Sequence, residues 1–236
     1  MNTGLNRTEA HFDVFFKNKE KREYRFDPKQ LGVKDRKIIQ TLNAHKIKNS
    51  VCLDIGPGTG RWLSFLRQQG SKYTAAVDIS NESIQRCSHL CDTIQKANIE
   101  SDTLAFESNF FDIIISFEVL EHIRYPETLL TEMSRVAKPN SLILMSVPNT
   151  VSLISRMRMC LGQLPISAND PTHVKFYRAK DIQKLFQRHR MSPEFLPTSI
   201  SLDPLSSKTR LCLESFKFLR SFDDSLLFKI IVEKNT

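Results

Sequence analysis

The sequence has 236 residues, of which 40% are hydrophobic and 25% charged, and its 34 Lys and Arg exceed its 26 Asp and Glu by a formal net charge of +8. These values are ordinary for a globular chain whose hydrophobic core is stable without disulfides or bound metals. The five cysteines form no C-x-x-C pair, which excludes a disulfide framework or zinc ribbon and predicts reduced thiols and a cytoplasmic location. No run of about 18 apolar residues predicts a membrane span. The positive charge favours phosphate-bearing, anionic-lipid or otherwise acidic partners, or is simply a basic solvated surface.

In chain order, residues 1–32 are polar and basic and predict a helical arm, whereas residues 33–236 predict one α/β domain. The predicted helices cover 33–46, 61–69, 81–92, 125–137, 179–189 and 207–221. The predicted strands cover 50–55, 73–78, 93–97, 111–117, 141–147, 193–201 and 226–233. Because strands and helices alternate, we expect a Rossmann-like, seven-stranded, mostly parallel sheet with helices on both faces.

The alternation is interrupted at about residues 150–175, which predict a small cap inserted into the domain. Residues 151–161 alternate apolar side chains with Arg156 and Arg158. This pattern is typical of a lid packed on the sheet, or of a helix lying over a lipidic or aromatic substrate. For the protein as a whole, peripheral contact with a membrane is left open as an expectation.

A glycine-rich turn from Asp54 to Gly60 follows the first predicted strand and opens a helix. Glycines there let the backbone turn tightly and let a ligand approach the main chain. Asp78 stands at the end of the second strand, where a carboxylate can accept hydrogen bonds from both hydroxyls of a ribose. Arg61 occupies the place of the third glycine of the dinucleotide fingerprint, which disfavours a pyrophosphate-bearing cofactor.

The run D-I-G-P-G-T-G resembles the first motif of class I methyltransferases that use S-adenosylmethionine (AdoMet), and V-D-I-S resembles the second. The resemblance implies that AdoMet is the cofactor. It also implies that the three glycines line its methionine and sulfonium end, that Asp54 holds the amino group, and that Asp78 holds the ribose. Asn98 stands where the family often has an Asp that faces the adenine, and an amide oxygen can still accept that bond. The cofactor-binding residues implied are Asp54, Gly56, Gly58, Gly60, Asp78, Ile79, Asn98, Ile99 and Phe117.

A second set of polar residues follows the strand that ends at Phe117. If a helical turn begins there, Glu118, Glu121 and His122 share one face, and His173 is the best further partner. Such a cluster suits a divalent cation, with Glu118, Glu121, His122 and His173 as ligands. Without metal, His122 or His173 is a candidate general base. A purely structural role, in which Glu121 and His122 bond the helix start, is the third reading.

The E-x-x-E-H spacing followed by D-x-x-H-x-x-F is similar to two metal-dependent groups of this superfamily, the small-RNA 3′-terminal 2′-O-methyltransferases and the O-methyltransferases of ubiquinone biosynthesis. Both act on vicinal hydroxyls. The resemblance implies methyl transfer to a hydroxyl oxygen of a small-molecule, sugar or lipid acceptor, assisted by metal, with Glu118, His122 and His173 as catalytic candidates. The alternatives are an RNA methyltransferase, which the net charge favours, and a non-catalytic AdoMet-binding partner protein.

Overall fold

The computed structural model describes residues 9–10, 12–14, 26, 31–198 and 223–233, and it confirms the predicted α/β fold with a seven-stranded sheet. The strands are β1 Val51–Ile55, β2 Tyr73–Asp78, β3 Thr93–Lys96, β4 Phe111–Phe117, β5 Ala137–Pro148, β6 Glu194–Leu196 and β7 Ser225–Ile231. The α-helices are α1 Val33–Ala44, α2 Arg61–Gln68, α3 Asn81–Cys87, α4 Pro126–Val136, α5 Leu153–Cys160 and α6 Ala179–Arg188.

The sheet has the order β3-β2-β1-β4-β5-β7-β6. The first five strands in this order are parallel, and β7 runs antiparallel to both β5 and β6. The chain leaves β1 toward β2 on one side, then returns to place β4 on the other side of β1. Such a switch point opens a crevice at the carboxyl ends of the strands, where ligands bind in open α/β sheets.

Helices cover both faces of the sheet because each central strand is buried on both sides. On β5, Ile143 and Met145 belong to one apolar cluster, which also contains buried side chains of α4 and α6. The intervening Leu142 and Leu144 belong to a second cluster, which contains buried side chains of α1 and α2. Strands buried on both faces carry nearly continuous apolar runs, and β4 with Ile113, Ile114 and Ile115 is the central example.

Three predicted elements differ clearly in length from the observed ones. The strand predicted over 193–201 is the short β6, Glu194–Leu196, and residues 199–201 lie outside the described ranges. The helix predicted over 81–92 ends at Cys87, because the Asp92 carboxylate accepts the backbone N–H of Thr74 at 2.8 Å and holds the chain against the start of β2. β5 begins at Ala137, four residues before the predicted strand, because Ala137 already pairs with Phe111 of β4. The predicted helix over 207–221 lies outside the described residues.

The region predicted as a cap contains α5 and a short 3-10 helix, Ile166–Ala168. The Ser152 hydroxyl caps α5 by accepting the backbone N–H of Ser155 at 3.2 Å. Most of the predicted N-terminal arm lies outside the described residues, although residues 9–10 and 12–14 are helical. Within the described ranges, no helix has both the length and the apolar character needed to cross a bilayer.

A substitution in β7 can test how much this strand and its neighbours β6 and α6 contribute to stability. Phe228 is fully buried between Phe186 of α6 and Phe195 of β6, with ring centroids 5.2 and 5.7 Å away. We expect Phe228→Ala to lower the free energy of unfolding by about 3–5 kcal/mol, because it removes an aromatic ring from a packed core.

The matched control is Ile231→Ala on the same strand, since Ile231 is 45% exposed. Its expected cost is about 1 kcal/mol or less. Urea denaturation measures both, and equal losses for the two variants would show that β7 does not belong to the cooperative core.

Candidate active site

The turn after β1 adopts a backbone that favours glycine. Gly56, Gly58 and Gly60 have φ angles of +74°, +55° and +77°, in the left-handed region where a Cβ is strained. A Cβ on Gly56 would also lie only 2.5 Å from Cγ2 of Val119, which follows β4. The turn therefore brings bare main chain to the crevice between β1 and β4.

Asp54, the last polar residue before this turn, is buried and only partly satisfied. Its Oδ2 has no hydrogen-bond partner among the described residues. Burial, together with the nearby charge of Asp78, raises the pKa of the Asp54 carboxyl well above its usual value. A buried carboxylate in this state is stabilised by a cationic or N–H donor, so it fits the amino group of the methionine part of AdoMet.

Asp78 lies at the end of β2 and is tied to the helix that follows. Its Oδ1 accepts the backbone N–H of Ser80 at 2.9 Å, and its Oδ2 accepts the Ser83 hydroxyl at 2.6 Å. Burial raises the pKa of Asp78, while these hydrogen bonds act in the opposite direction. Each carboxylate oxygen keeps a lone pair, so the side chain can still accept the two ribose hydroxyls.

The remaining cofactor candidates lie at the ends of β2, β3 and β4. Ile79 follows β2 directly, and the ring of Phe117 at the end of β4 contacts Trp62 at a centroid distance of 5.3 Å. Asn98 and Ile99 follow β3. The Asn98 amide oxygen accepts the backbone N–H of Glu100 at 3.2 Å, so it is engaged within its own turn. The predicted contact of Asn98 with the adenine stays a prediction.

Three of the four predicted metal ligands converge. Glu121, His122 and His173 each offer a ligand atom, and these atoms lie within 4.8 Å of one another. Glu121 is only 1% exposed, and neither carboxylate oxygen has a hydrogen-bond partner among the described residues. Burial, reinforced by the charge of Glu118, raises the pKa of Glu121 to about 9. Without a cation, this carboxyl is therefore neutral at pH 7.

Backbone carbonyls orient both imidazoles of this cluster. His122 Nδ1 lies 3.2 Å from the Thr172 carbonyl oxygen, and His173 Nδ1 lies 2.5 Å from that of Ser167. Because a carbonyl only accepts, each Nδ1 carries the hydrogen and each Nε2 keeps its lone pair. His173 Nε2 lies 3.9 Å from Glu121 Oε1. Histidines that bind metals are commonly held by such a second hydrogen bond.

Glu118, the fourth predicted ligand, has other partners. Its backbone φ is +56°, and the 3-10 helix begins only at Leu120, so the expected helical face does not include it. Its Oε1 accepts hydrogen bonds from Lys34, from the Ser146 hydroxyl at 2.7 Å and from the Ser225 hydroxyl at 2.9 Å. Burial alone would raise the pKa of Glu118, but the charge of Lys34 and the hydrogen bonds that the carboxylate accepts together lower that pKa.

Sequence reasoning missed several residues around these side chains. Lys34 reaches Glu118 from α1, and nothing in the local sequence marks that contact. Asp170, by contrast, is the first residue of the D-x-x-H pattern, and its Oδ2 lies 4.0 Å from His173 Nε2. From the N-terminal segment, Asp13 accepts the Ser80 hydroxyl at 2.6 Å.

The chain is similar to a family of known proteins and to curated relatives within it. The model of the methyltransferase domain family matches residues 22–189. A ubiquinone biosynthesis O-methyltransferase of Dechloromonas aromatica is 25% identical over 169 residues, which cover 67% of this chain and 71% of that protein. The enzyme of the same name from Rickettsia akari is 26% identical over 177 residues, covering 69% of this chain and 66% of the relative.

Solved structures share the fold at lower identity. A Haloferax volcanii methyltransferase in complex with the Trm112 methyltransferase activator has a TM-score of 0.64 at 14% identity, covering 97% of this chain and 98% of that one. Magnesium protoporphyrin IX methyltransferase of Synechocystis PCC 6803 with bound SAH has a TM-score of 0.64 at 15% identity, covering 96% and 98%. Since the family model spans well over half of the chain and the sheet carries the expected glycine turn, this protein belongs to the methyltransferase domain family and is an AdoMet-dependent methyltransferase.

Proposed function

We propose that the protein transfers the methyl group of AdoMet to a hydroxyl oxygen, and that a divalent cation held by Glu121, His122 and His173 assists the transfer. The observation that carries the proposal is the buried Glu121 carboxylate, which has no hydrogen-bond partner among the described residues and lies beside the imidazoles of His122 and His173. The curated relatives named as O-methyltransferases support oxygen as the acceptor atom.

For the cofactor, we place the methionine end against the glycine turn, with its amino group on Asp54 Oδ2 and the ribose on Asp78. Asp54 and Asp78 lie at the carboxyl ends of the adjacent strands β1 and β2, so one extended molecule can reach both. A Cβ on Gly56 would meet Val119, which precedes Glu121 by two residues; this supports our placing the Glu121 cluster near the reactive end of the cofactor.

The proton of the acceptor hydroxyl is the main chemical obstacle to O-methylation. A cation bound at the cluster would lower the pKa of a coordinated hydroxyl and orient a neighbouring one. The protein itself would hold the two imidazoles through hydrogen bonds from their Nδ1 atoms. It would also exclude water from Glu121, so that the carboxylate interacts with the cation instead of with solvent. His122 and His173 as general bases, and Glu118 as a further catalytic residue, stay predictions.

The proposal specifies methyl transfer to an oxygen, but it allows several classes of acceptor. A small-molecule, sugar or lipid hydroxyl fits the proposal, whereas an RNA acceptor is supported only by the net charge of +8. The cytoplasmic location and the division of the chain at residue 32 stay predictions.

The glycine turn can be tested with two positions that have almost the same backbone angle. Gly56 and Gly162 have φ angles of +74° and +72°, but only the Cβ at Gly56 meets a neighbour, Val119, whereas a Cβ at Gly162 meets nothing within 4 Å. We expect both alanine variants to lose about 1–2 kcal/mol of stability from backbone strain. Only Gly56→Ala should weaken AdoMet binding, by at least about tenfold, as measured by calorimetry. Equal affinity in the two variants would remove the turn from the site.

The two ends of the cofactor can be separated with a shortened ligand. We expect Asp54→Asn to weaken AdoMet binding by about 1.5–3 kcal/mol, because it removes a charged hydrogen bond to the amino group. It should leave the binding of methylthioadenosine unchanged, since that nucleoside lacks the amino acid. Asp78→Ala should weaken both ligands by about 1–3 kcal/mol. If Asp54→Asn weakens both ligands equally, the placement is wrong.

If the cluster binds a cation, substitutions in it should lower metal affinity much more than they change the stability of the metal-free protein. Because burial favours the neutral form of Glu121 and Gln has nearly the same shape, Glu121→Gln should change the stability of the metal-free protein by about 1 kcal/mol or less. It should reduce Mn²⁺ affinity by at least about a hundredfold, more than the loss of an outer-shell partner costs. His173→Ala should do the same, and chelator should reduce wild-type turnover.

Thermal unfolding with and without Mn²⁺ measures this effect, because a ligand that binds only the native state raises the melting temperature. The controls are Glu107→Gln, an exposed carboxylate, and His189→Ala at the end of α6. A wild-type protein that shows neither a Mn²⁺-dependent shift nor sensitivity to chelator would leave the cluster with a structural role.

A further inference from the structure

Lys34 occupies an unfavourable position for a positive charge. It is the second residue of α1, and the start of a helix carries the positive end of the helix dipole. Its ammonium donates to Glu118 Oε1, and it also donates to the Ser225 hydroxyl oxygen at 3.0 Å. The Glu118 carboxylate therefore compensates a charge that the helix start disfavours.

Glu118 is held in place through both its main chain and its side chain. Its φ of +56° lies in the left-handed region, which residues other than glycine seldom adopt, and its N–H donates to the Ser146 carbonyl oxygen at 2.9 Å. The hydroxyls of Ser146 and Ser225 donate to Oε1, the same oxygen that Lys34 contacts. In the part of the chain that the structure describes, Oε2 has no hydrogen-bond partner. Strained residues persist where the surrounding contacts fix them, and they concentrate at functional sites.

The charges of Lys34 and Glu118 act on the cation cluster without belonging to it. Burial raises the pKa of Glu121 most, and the charge of Glu118, three residues earlier in the chain, raises it further. The Lys34 ammonium acts on the pKa of Glu121 in the opposite direction. Glu118 nevertheless is not among the described residues whose ligand atoms converge on the candidate cation site.

A cation site with three protein ligands differs chemically from one with four. Glu121, His122 and His173 supply one carboxylate and two imidazoles, a set that leaves coordination positions open in metalloenzymes. In zinc proteins, sites closed by four protein ligands are structural, whereas catalytic sites keep a position open. Glu118 as a fourth ligand would add a second negative charge and would fill a position that the acceptor or water can otherwise take.

We propose that Lys34 is a positioning residue that keeps Glu118 out of the cation site, so that the cluster stays a three-ligand site open to the acceptor. Lys34 has this role only if the cluster binds a cation, so the inference rests on the proposed function. The ammonium would act in two ways. It holds Glu118 Oε1 toward the start of α1, and it neutralises a carboxylate charge that would otherwise attract the cation.

Removal of the Lys34 charge should strengthen cation binding. In Lys34→Met, the two serine hydroxyls can stay on Glu118 Oε1 while Oε2 becomes a ligand, since a carboxylate accepts several bonds. We expect calorimetry to show Mn²⁺ binding at least about tenfold tighter than in the wild type. Water proton relaxation should show about one coordinated water fewer on the Mn²⁺, because Oε2 replaces it. Lys34→Arg keeps the charge and the donor, so it should behave like the wild type.

A double variant separates ligation from net charge. Lys34→Met combined with Glu118→Gln removes one charge of each sign, and the Mn²⁺ affinity should stay within about threefold of the wild type. If Glu118 were a ligand in the wild type, the double variant would lose at least about a hundredfold, as expected for Glu121→Gln. The control is Lys72→Met, which removes an exposed positive charge in front of β2, at the edge of the sheet opposite the glycine turn. It should leave the Mn²⁺ affinity unchanged.

Three results would overturn the proposal: unchanged Mn²⁺ affinity in Lys34→Met, a loss of about a hundredfold in the double variant, or an equal gain in Lys72→Met. The double variant leaves no charge of the pair unmatched, so it tests the ligand set even where Lys34→Met does not fold. Retained AdoMet affinity shows that a variant is folded.

The outcomes also distinguish this role of Lys34 from the proposed function. Mn²⁺ binding by Lys34→Met but not by the wild type would refute the proposed cation in the native reaction and support the role of Lys34. Absence of Mn²⁺ binding in both proteins would overturn both.

Discussion

Two carboxyl groups, those of Asp54 and Glu121, are buried without full hydrogen bonding at the edge of the sheet where the parallel strands end. Asp54 lies in β1, and Glu121 lies in the segment after β4. Strands β1 and β4 are neighbours at the switch point. A buried polar group without a partner costs on the order of several kcal/mol. The main chain at Glu121 is held in place, because its carbonyl oxygen accepts the N–H groups of Val174 and Lys175 at 2.9 and 3.0 Å. The fold thus maintains two sites that a cationic ligand group would stabilise.

The second site belongs to two parts of the chain at once. Glu121 and His122 come from the end of β4, whereas His173 and the Thr172 carbonyl oxygen come from the loop after the cap. The contacts that orient the imidazoles are therefore the same contacts that fasten the cap to the sheet. Any ligand that binds the cluster stabilises the docked cap by the same free energy, because binding and docking are linked.

What could be predicted from the sequence depended on how local each interaction is. The glycine turn and the buried strands were predictable because backbone angles and apolar runs are set within a few residues. The pairing of Glu121 with His122 was predictable from their spacing in the chain, whereas His173 was only the best candidate partner from the loop after the cap. Lys34 was not predictable, since its contact with Glu118 spans 84 residues and depends on where α1 lies against β4. That contact separates Glu118 from the cluster in which spacing alone had placed it.

The cap is connected to the site through few contacts. α5 lies between Thr150 and Ser167, whose hydroxyls meet at 3.3 Å, and the next atom along this path is the Ser167 carbonyl oxygen that orients His173. Because α5 buries little of itself against the sheet, the protein alone does little to fix its position. A ligand that binds His173 would therefore also hold the 3-10 turn, through the Ser167 carbonyl oxygen. The exposed outer side of α5 and the carbonyl oxygen that orients His173 therefore belong to the same short segment.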